Sequence, residues 1–404
     1  MHIVESITTN ITEQYDVAVC GGGIAGIAAA LAAAREGKRV VLIEKQFMLG
    51  GLATAGLITI YLPLCDGKGR QVSFGLAEEL LRLSITYGAE NLYPENWLDG
   101  KGTRTEQDKR FEVQYNAQLF AILAEQELKK EGVDIRYGSF VVGASMQGKS
   151  IEALLVESKS GREAFAVGAV VDATGDADIA HFAGAPTELF RQGNVLAGWY
   201  YSSSKAGYKL HMVGAADIPD EDKTAEEKEK GRNVERFLGL SGKELSSMTQ
   251  KSHAATLHHY LAARGDDDDF MLATLPTIPQ IRMTRKLVGE YTLAASEMHT
   301  YFEDSIGMVS NWKKRGPVYE VPFGTLFNKS VKNLIMAGRC TSVDQTLWDV
   351  MRVIPCCAVT GEAAGVAAAM TNDFSTLDVK ALQAKLTQKG VVLHEKDLPA
   401  QSNL

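Results

Sequence analysis

A mixed α/β fold built around a dinucleotide-binding βαβ unit is what this chain predicts, and three stretches predict it. The first is YDVAVCGGGIAGIAAALAAAREGKRVVLIEK, residues 15–45, which reads as strand, glycine turn, helix and second strand. The second is AVVDATGD, residues 169–176, a buried strand running into another glycine-bearing turn. The third is NLIMAGRC, residues 333–340, an apolar strand again closed by glycine. A small-residue helix, CCAVTGEAAGVAAAM, follows it and resembles the first helix in composition.

Each glycine of the G-x-G-x-x-G in the first unit has a physical task. Gly21 allows the sharp turn, Gly23 lets backbone approach a pyrophosphate, and Gly26 permits close helix-to-strand packing. The helix N-terminus at Ile24 and Ala25 then faces the phosphates, where unpaired amides and the helix dipole favour negative charge. Glu44, followed by Lys45, ends the second strand 18 residues beyond Gly26, where a carboxylate accepts hydrogen bonds from an adenosine ribose. A phosphate on that ribose would be repelled. On these residues alone the motif fits NAD as well as FAD.

Composition narrows the class further. The chain has 404 residues, 45% of them hydrophobic and 23% charged, as in ordinary globular enzymes, and its length implies two or three structural units. A net charge of -8 without a basic cluster argues against nucleic acid or an anionic membrane surface as the main partner. The most apolar helix, GIAAALAAA, is far shorter than the ~20 residues that span a bilayer. The leading MHIVESITTNITEQ is polar and has no signal-peptide pattern, so a cytoplasmic protein is expected. Five cysteines, Cys20, Cys65, Cys340, Cys356 and Cys357, show no metal-ligand spacing, and no metal is expected. The run Asp266 to Asp269 reads as a solvated loop.

Along the chain, QYNAQLFAILAEQELKKEGVDIRYGSFVV reads as a helix leading into a strand, and KSIEALLVESKSGREAFAVGAVVDA as two or three short strands before the buried one. From Leu189 to Asn328 the composition changes to charged helices, a histidine pair and proline-punctuated strands such as TLPTIPQIRM and VYEVPFGTLF. The expected organisation is therefore discontinuous: a Rossmann-like cofactor domain over 1–188 and 329–371, an inserted α+β substrate domain over 189–328, and a helical tail over 372–404. Pro355 suits the first turn of a helix, which places a helix start near Ile354.

Seven segments taken together resemble a known family: YDVAVCGGGIAGIAAA, EKQFMLGGLATAGL, VVDATGDADIAHFAGAP, PQIRMTRKLVGEYTL, YEVPFGTLF, NLIMAGRC and RVIPCCAVTGEAAGVAAA, spanning residues 15 to 370. They resemble the FAD-dependent oxidoreductases of the glutathione-reductase-type flavoprotein superfamily. The likeness is greatest to a bacterial FAD-dependent oxidoreductase family distantly related to fumarate reductase flavoproteins. The resemblance implies an FAD-binding domain of the ββα type. It implies that Gly21, Gly23, Ile24, Ala25 and Glu44 hold the ADP half, with Gly50, Gly51 and Thr54 along the pyrophosphate and ribityl. Ala173, Thr174 and Gly175 would close the adenosine side, Val141 or Phe140 would lie beside the adenine, and Gly338 and Arg339 would meet the pyrophosphate or ribityl. The helix starting at Ile354 and Pro355 would point its positive end at the flavin pyrimidine, favouring the reduced form. No histidine adjoins GGLATAG, so non-covalent FAD is expected.

For catalysis, Arg352 is the first candidate, as a ligand for a substrate carboxylate or for the flavin, with a structural salt bridge as its bland alternative. Arg285, three residues after Arg282, could bind an anionic substrate or form an interdomain ion pair, and His258 beside His259 could act as acid or base. Adjacent Cys356 and Cys357 could form a redox pair or simply pack a helix start. The reading that unites these residues is an FAD-dependent oxidoreductase moving a hydride between a small organic substrate and flavin N5, with a second electron donor or acceptor. An NAD(P)H-dependent flavin monooxygenase or reductase, and a non-catalytic flavin-binding redox sensor, are the alternatives.

Overall fold

The computed structural model describes residues 3–92, 112–214, 223–231 and 234–398. The first unit forms as read: β1 (Ile11–Cys20), α1 (Ile24–Arg35) and β2 (Val40–Ile43). β1 extends further back than YDVAV because the end of the polar leader pairs with residues 164–166 of a later strand. There follow β3 (Ile60–Tyr61), α2 (Leu76–Ile85), β4 (Val113–Gln114), α3 (Ala117–Lys130) and β5 (Asp134–Arg136). Asn116 starts α3 by accepting a hydrogen bond from the Leu119 amide, a side-chain N-cap. Next come β6 (Phe140–Gln147), β7 (Ser150–Ser158) and β8 (Gly161–Asp172), long hairpin strands where several short ones were expected.

The main sheet has seven strands, and its core order is β5-β2-β1-β8. β8 divides its outer edge between two partners. Residues 161–166 pair antiparallel with β7, whereas Val170–Asp172 pair parallel with the late strand β16 (Leu334–Met336). Cys20 lies opposite Asp172, and Asp172 opposite Met336, so three parallel strands end at one level. That shared carboxyl edge is where open α/β sheets hold ligands.

Between β8 and β16 lie α4 (Asp178–Phe182), β9 (Thr187–Leu189), β10 (Tyr200–Ser204), β11 (Gly207–His211), α5 (Ala225–Gly231), α6 (Gly242–Arg264), β12 (Met271–Thr274), β13 (Arg285–Leu287), β14 (Ser305–Ser310) and β15 (Val318–Pro322). TLPTIPQIRM is a strand only at its first residue. The rest is irregular, since its two prolines cannot donate to a ladder. β10, β11 and β12 form a small antiparallel sheet, and β13 pairs with β9. Ser252 and Thr256 of α6 donate to the carbonyls of Ala197 and Gly198, which fixes the rotation of that long helix.

The chain closes with α7 (Gln345–Met351), α8 (Ile354–Met370) and α9 (Val379–Gln388). α8 starts where Pro355 predicts and packs on α1 as well as on strands of the sheet: Gly361 and Gly365 face the backbone of Ala25 and Ala29. Only small residues permit that approach, which is why both helices are rich in alanine and glycine. Ile306, Val309, Tyr319 and Val321 of β14 and β15 join the core around this helix pair. Among the described residues no single helix is long and apolar enough to cross a membrane. The pair α7 and α8 reaches that length only together and bends by 89° at its break.

Candidate cofactor site

The carboxyl edge of the sheet opens into a cavity of about 750 Å³. Its floor is the glycine turn. Gly21 has φ +103, and a Cβ there would lie 2.5 Å from the Ala173 carbonyl oxygen, so both conformation and space demand glycine. A Cβ at Gly26 would lie 1.8 Å from the Gly21 oxygen: this residue packs the helix against the turn and does not line the cavity. A Cβ built on Gly23 would meet nothing within 4 Å, so this backbone is open on its cavity side. α1 begins here with no side-chain cap. Bare backbone at an uncapped helix N-terminus is the geometry that receives a diphosphate.

At one end of the cavity stands Glu44, 5% exposed. Its two carboxylate oxygens accept from the Gly22 and Gln46 amides, each at 2.7 Å. Burial raises its pKa, and those amides oppose the shift. The carboxylate is thus held rigid while each oxygen keeps a lone pair for a ribose hydroxyl. Lys45, Phe140 and Val141 complete this end.

The middle is walled by Gly50 and Gly51, by Ala173, Thr174 and Gly175, and by Gly338 and Arg339. Asp172, fully buried, organises this wall: its carboxylate accepts from the Thr174 amide and hydroxyl and from the Ile179 and Ala180 amides at the start of α4. Burial pushes Asp172 up to about 6 despite those donors. The cap of α4 therefore comes from Asp172 and Thr174, not from Asp176. Asp176 turns to Arg339 instead, at 2.7 Å. Burial alone would raise Asp176, but the Arg339 charge and the Thr284 hydrogen bond bring its pKa below the usual value.

The far end holds Ile354 at the start of α8, Cys357 and Arg352. Arg352 donates to Asp349, a carboxylate with no exposure that Lys313 also engages, so the predicted salt bridge is present and the arginine still lines the cavity. Two cations on one carboxylate leave net positive charge there. Thr54 and Pro355 do not line the cavity: Thr54 donates to the Leu49 carbonyl, and Pro355 is buried in the first turn of α8. Arg285 is also outside, donating to the Ala177 carbonyl at 3.4 Å and lying 3.8 Å from Asp178, which makes it a tie between segments. His258 is exposed and outside as well.

The opposite wall is one that sequence reasoning missed. Ser246, Thr249, Gln250 and His253 of α6 face the cavity, with residues 277–279 beside them. A polar stripe at helical spacing is ordinarily a solvated face, and nothing in the sequence marks this one. The anchoring of Ser252 and Thr256 turns it inward.

A cavity laid across the carboxyl ends of parallel strands, on a bare helix N-terminus, belongs to the dinucleotide-binding α/β proteins. Among these the chain belongs to the FAD dependent oxidoreductase family, whose model matches residues 16–198 and 204–386, and its cofactor is FAD. Thioredoxin reductase of Ureaplasma parvum is 35% identical over 74 residues, covering 18% of this chain and 24% of that protein. Two solved structures are similar at low identity. A geranylgeranyl bacteriochlorophyll reductase-like protein from Thermoplasma acidophilum is 14% identical with a TM-score of 0.44, covering 94% of this chain and 84% of that one. The open conformation of a flavocytochrome c3 fumarate reductase is 16% identical with a TM-score of 0.40, covering 89% and 78%.

Proposed function

We propose that the protein transfers a hydride between a small organic substrate and flavin N5, with a separate electron donor or acceptor completing the cycle. FAD, when bound, supplies the redox chemistry. Glu44 receives the ribose, the α1 N-terminus and Arg339 receive the diphosphate, and Ile354 with Arg352 meets the ring system. The observation that carries the reading is the shared Asp349: Arg352 and Lys313 leave net positive charge beside the uncapped start of α8, which favours negative charge on a reduced ring. The α6 wall, with Thr249, Gln250 and His253, offers hydrogen-bond donors and acceptors to the substrate, and His253 rather than His258 is the candidate proton carrier. In this proposal residues 189–328 form the substrate-binding domain. All five cysteines are free, which supports a reducing compartment such as the cytoplasm.

The test is anaerobic titration of the purified flavoprotein with small hydroxy and unsaturated acids, NADH and NADPH, followed near ~450 nm. Bleaching by an organic acid, or reoxidation of the reduced protein by an unsaturated one, supports the reading. Bleaching by NADPH alone would move the protein to the monooxygenase or reductase class.

A further inference from the structure

Three cavity residues, Gly175, Asp176 and Arg339, are tied to residues 282–285, which do not themselves line the cavity. The Arg339 guanidinium donates to the Gly175 carbonyl through Nε and to Asp176 Oδ1 through Nη2, both at 2.7 Å. The same Oδ1 accepts the Thr284 hydroxyl at 2.6 Å. Thr284 is 1% exposed and lies outside the cavity. One residue on, Arg285 donates to the carbonyl of Ala177, whose φ of 51 marks a tight left-handed turn.

The segment that carries Thr284 is itself immobilised. Asn194 accepts from the Arg282 and Met283 amides, at 3.1 and 3.0 Å, and donates to the Met283 carbonyl at 2.6 Å. The Phe190 amide donates to the Thr284 carbonyl at 2.7 Å. The chain of contacts therefore runs without a gap from a fixed central segment, through one hydroxyl, to a carboxylate and then to Arg339, beside Gly338 on the middle wall of the cavity.

We propose that Thr284 is a positioning residue for cofactor binding: by holding Asp176 it fixes the Arg339 guanidinium against the diphosphate of FAD. The inference rests on FAD as the ligand of this cavity. A free arginine side chain gives up rotamer entropy when it is immobilised, and here that loss is taken before the cofactor arrives. Removing the hydroxyl leaves Asp176 with one donor fewer and lets the carboxylate and its arginine reorient together. Because linkage is reciprocal, FAD in turn holds residues 282–285 against the loop.

The experiment measures FAD affinity of the apoprotein by flavin fluorescence for Thr284→Val, Thr284→Ser, Asp176→Ala and the Thr284→Val/Asp176→Ala double variant, each checked for folding by its apoprotein melt. Loss of a hydrogen bond to a charged group predicts a Kd about tenfold weaker for Thr284→Val. Thr284→Ser, which restores the donor, is expected within about twofold of wild type, and Thr284→Val is expected to add less than about twofold once Asp176 is already changed. If Thr284→Val does not fold, Thr284→Ala is read against Thr284→Ser in its place. Equal losses in the serine and valine variants would assign Thr284 to packing and overturn the proposal, as would wild-type affinity in Thr284→Val. Failure of the wild-type apoprotein to take up FAD overturns the cofactor assignment and this inference with it, which separates the two.

Discussion

Gly361 of α8 lies so close to Ala25 of α1 that a Cβ at position 361 would stand 2.3 Å from the Ala25 carbonyl oxygen. Ala25 lines the cofactor cavity, and Ile354, at the start of the same α8, lines its far end. The contact therefore sets the spacing between the two helices whose starts line the cavity.

Overpacking at this contact gives the first prediction. Gly361→Ala must push the two helices apart, at a cost of about 1–3 kcal/mol. Chemical denaturation of the apoprotein should show that loss, and FAD affinity should fall in the same variant because Ala25 moves. An unchanged denaturation midpoint would refute the contact.

One residue on, where α8 faces the start of α2, stability acquires a pH dependence. Glu362 is 3% exposed and accepts the Leu76 amide at 2.8 Å. Burial pushes its pKa from 4.5 to about 7, with the Leu76 amide opposing. A carboxyl raised on folding binds its proton more tightly in the native state. Its stabilisation is complete below about pH 4.5, declines through the window from 4.5 to 7, and is lost above it. Glu362→Gln keeps an acceptor for Leu76 and removes this slope, so it should be more stable than wild type at pH 8, by about 3 kcal/mol at most. Asp172, pushed from 3.8 to about 6, acts in the same direction and leaves a smaller residual slope in the variant. Denaturation at pH 5 and pH 8 for both proteins checks the sign. A variant less stable than wild type at pH 8 would mean that Glu362 is ionised without penalty.

What could be read from the sequence was whatever is encoded within one turn-and-helix length. The glycine spacing, the carboxylate at Glu44 and the proline at the start of α8 each take their geometry from contacts within that length, the longest being Glu44 to the Gly22 amide, and all three are found where the pattern puts them. The cavity-facing side of α6 could not be read because its orientation depends on two hydroxyls meeting carbonyls more than fifty residues away in sequence. His253 and His258 show the consequence: both are exposed, but five residues along a helix is about 140° of rotation, enough to put one on the cavity wall and the other off it. For Arg285 the sequence left substrate binding and an interdomain ion pair open, and the pair with Asp178 is the one found, because its partners at Ala177 and Asp178 belong to a turn whose position only the folded sheet defines. The long pairing of β1 was hidden because its first residues are polar, as an edge of a sheet half open to water allows.

The charge arrangement around Asp349 can be tested apart from any substrate. Burial would raise the Asp349 carboxyl, but Arg352 and Lys313 hold it below its usual value, so it stays ionised between two cations. Arg352→Met removes one positive charge, and Asp349→Asn removes the negative one. The flavin should be harder to reduce in the first variant and easier in the second. A tenfold change in the reduction equilibrium corresponds to about 30 mV for a two-electron couple, and shifts of at least that size are expected in opposite directions. Equilibration with a reference dye measures both potentials. Shifts of the same sign would mean that the variants act through altered packing and not through charge.

The neighbouring thiols lead to an opposite expectation. Cys356 Sγ points to the Val350 carbonyl at 3.3 Å and Cys357 Sγ to the Arg352 carbonyl at 3.4 Å, so adjacent residues send their sulfurs to separate acceptors. Burial raises Cys356 well above the usual thiol value and pushes Cys357 up to about 12, even though Arg339 and Arg352 draw Cys357 down. A thiol that far above ambient pH carries almost no thiolate and is a poor nucleophile. Neither residue is suited to pass electrons from the flavin to a disulfide. Incubation of the native flavoprotein with a thiol-reactive disulfide reagent at pH 8 should leave both unlabelled over the time in which a free thiol reacts completely, whereas unfolding in guanidinium should expose them. The double replacement Cys356→Ala/Cys357→Ser should then retain flavin reduction by substrate to within about threefold, a difference below 1 kcal/mol in the barrier. Rapid labelling of Cys357 in the native protein, accompanied by loss of flavin reduction in the double variant, would restore the redox pair that this packing argues against.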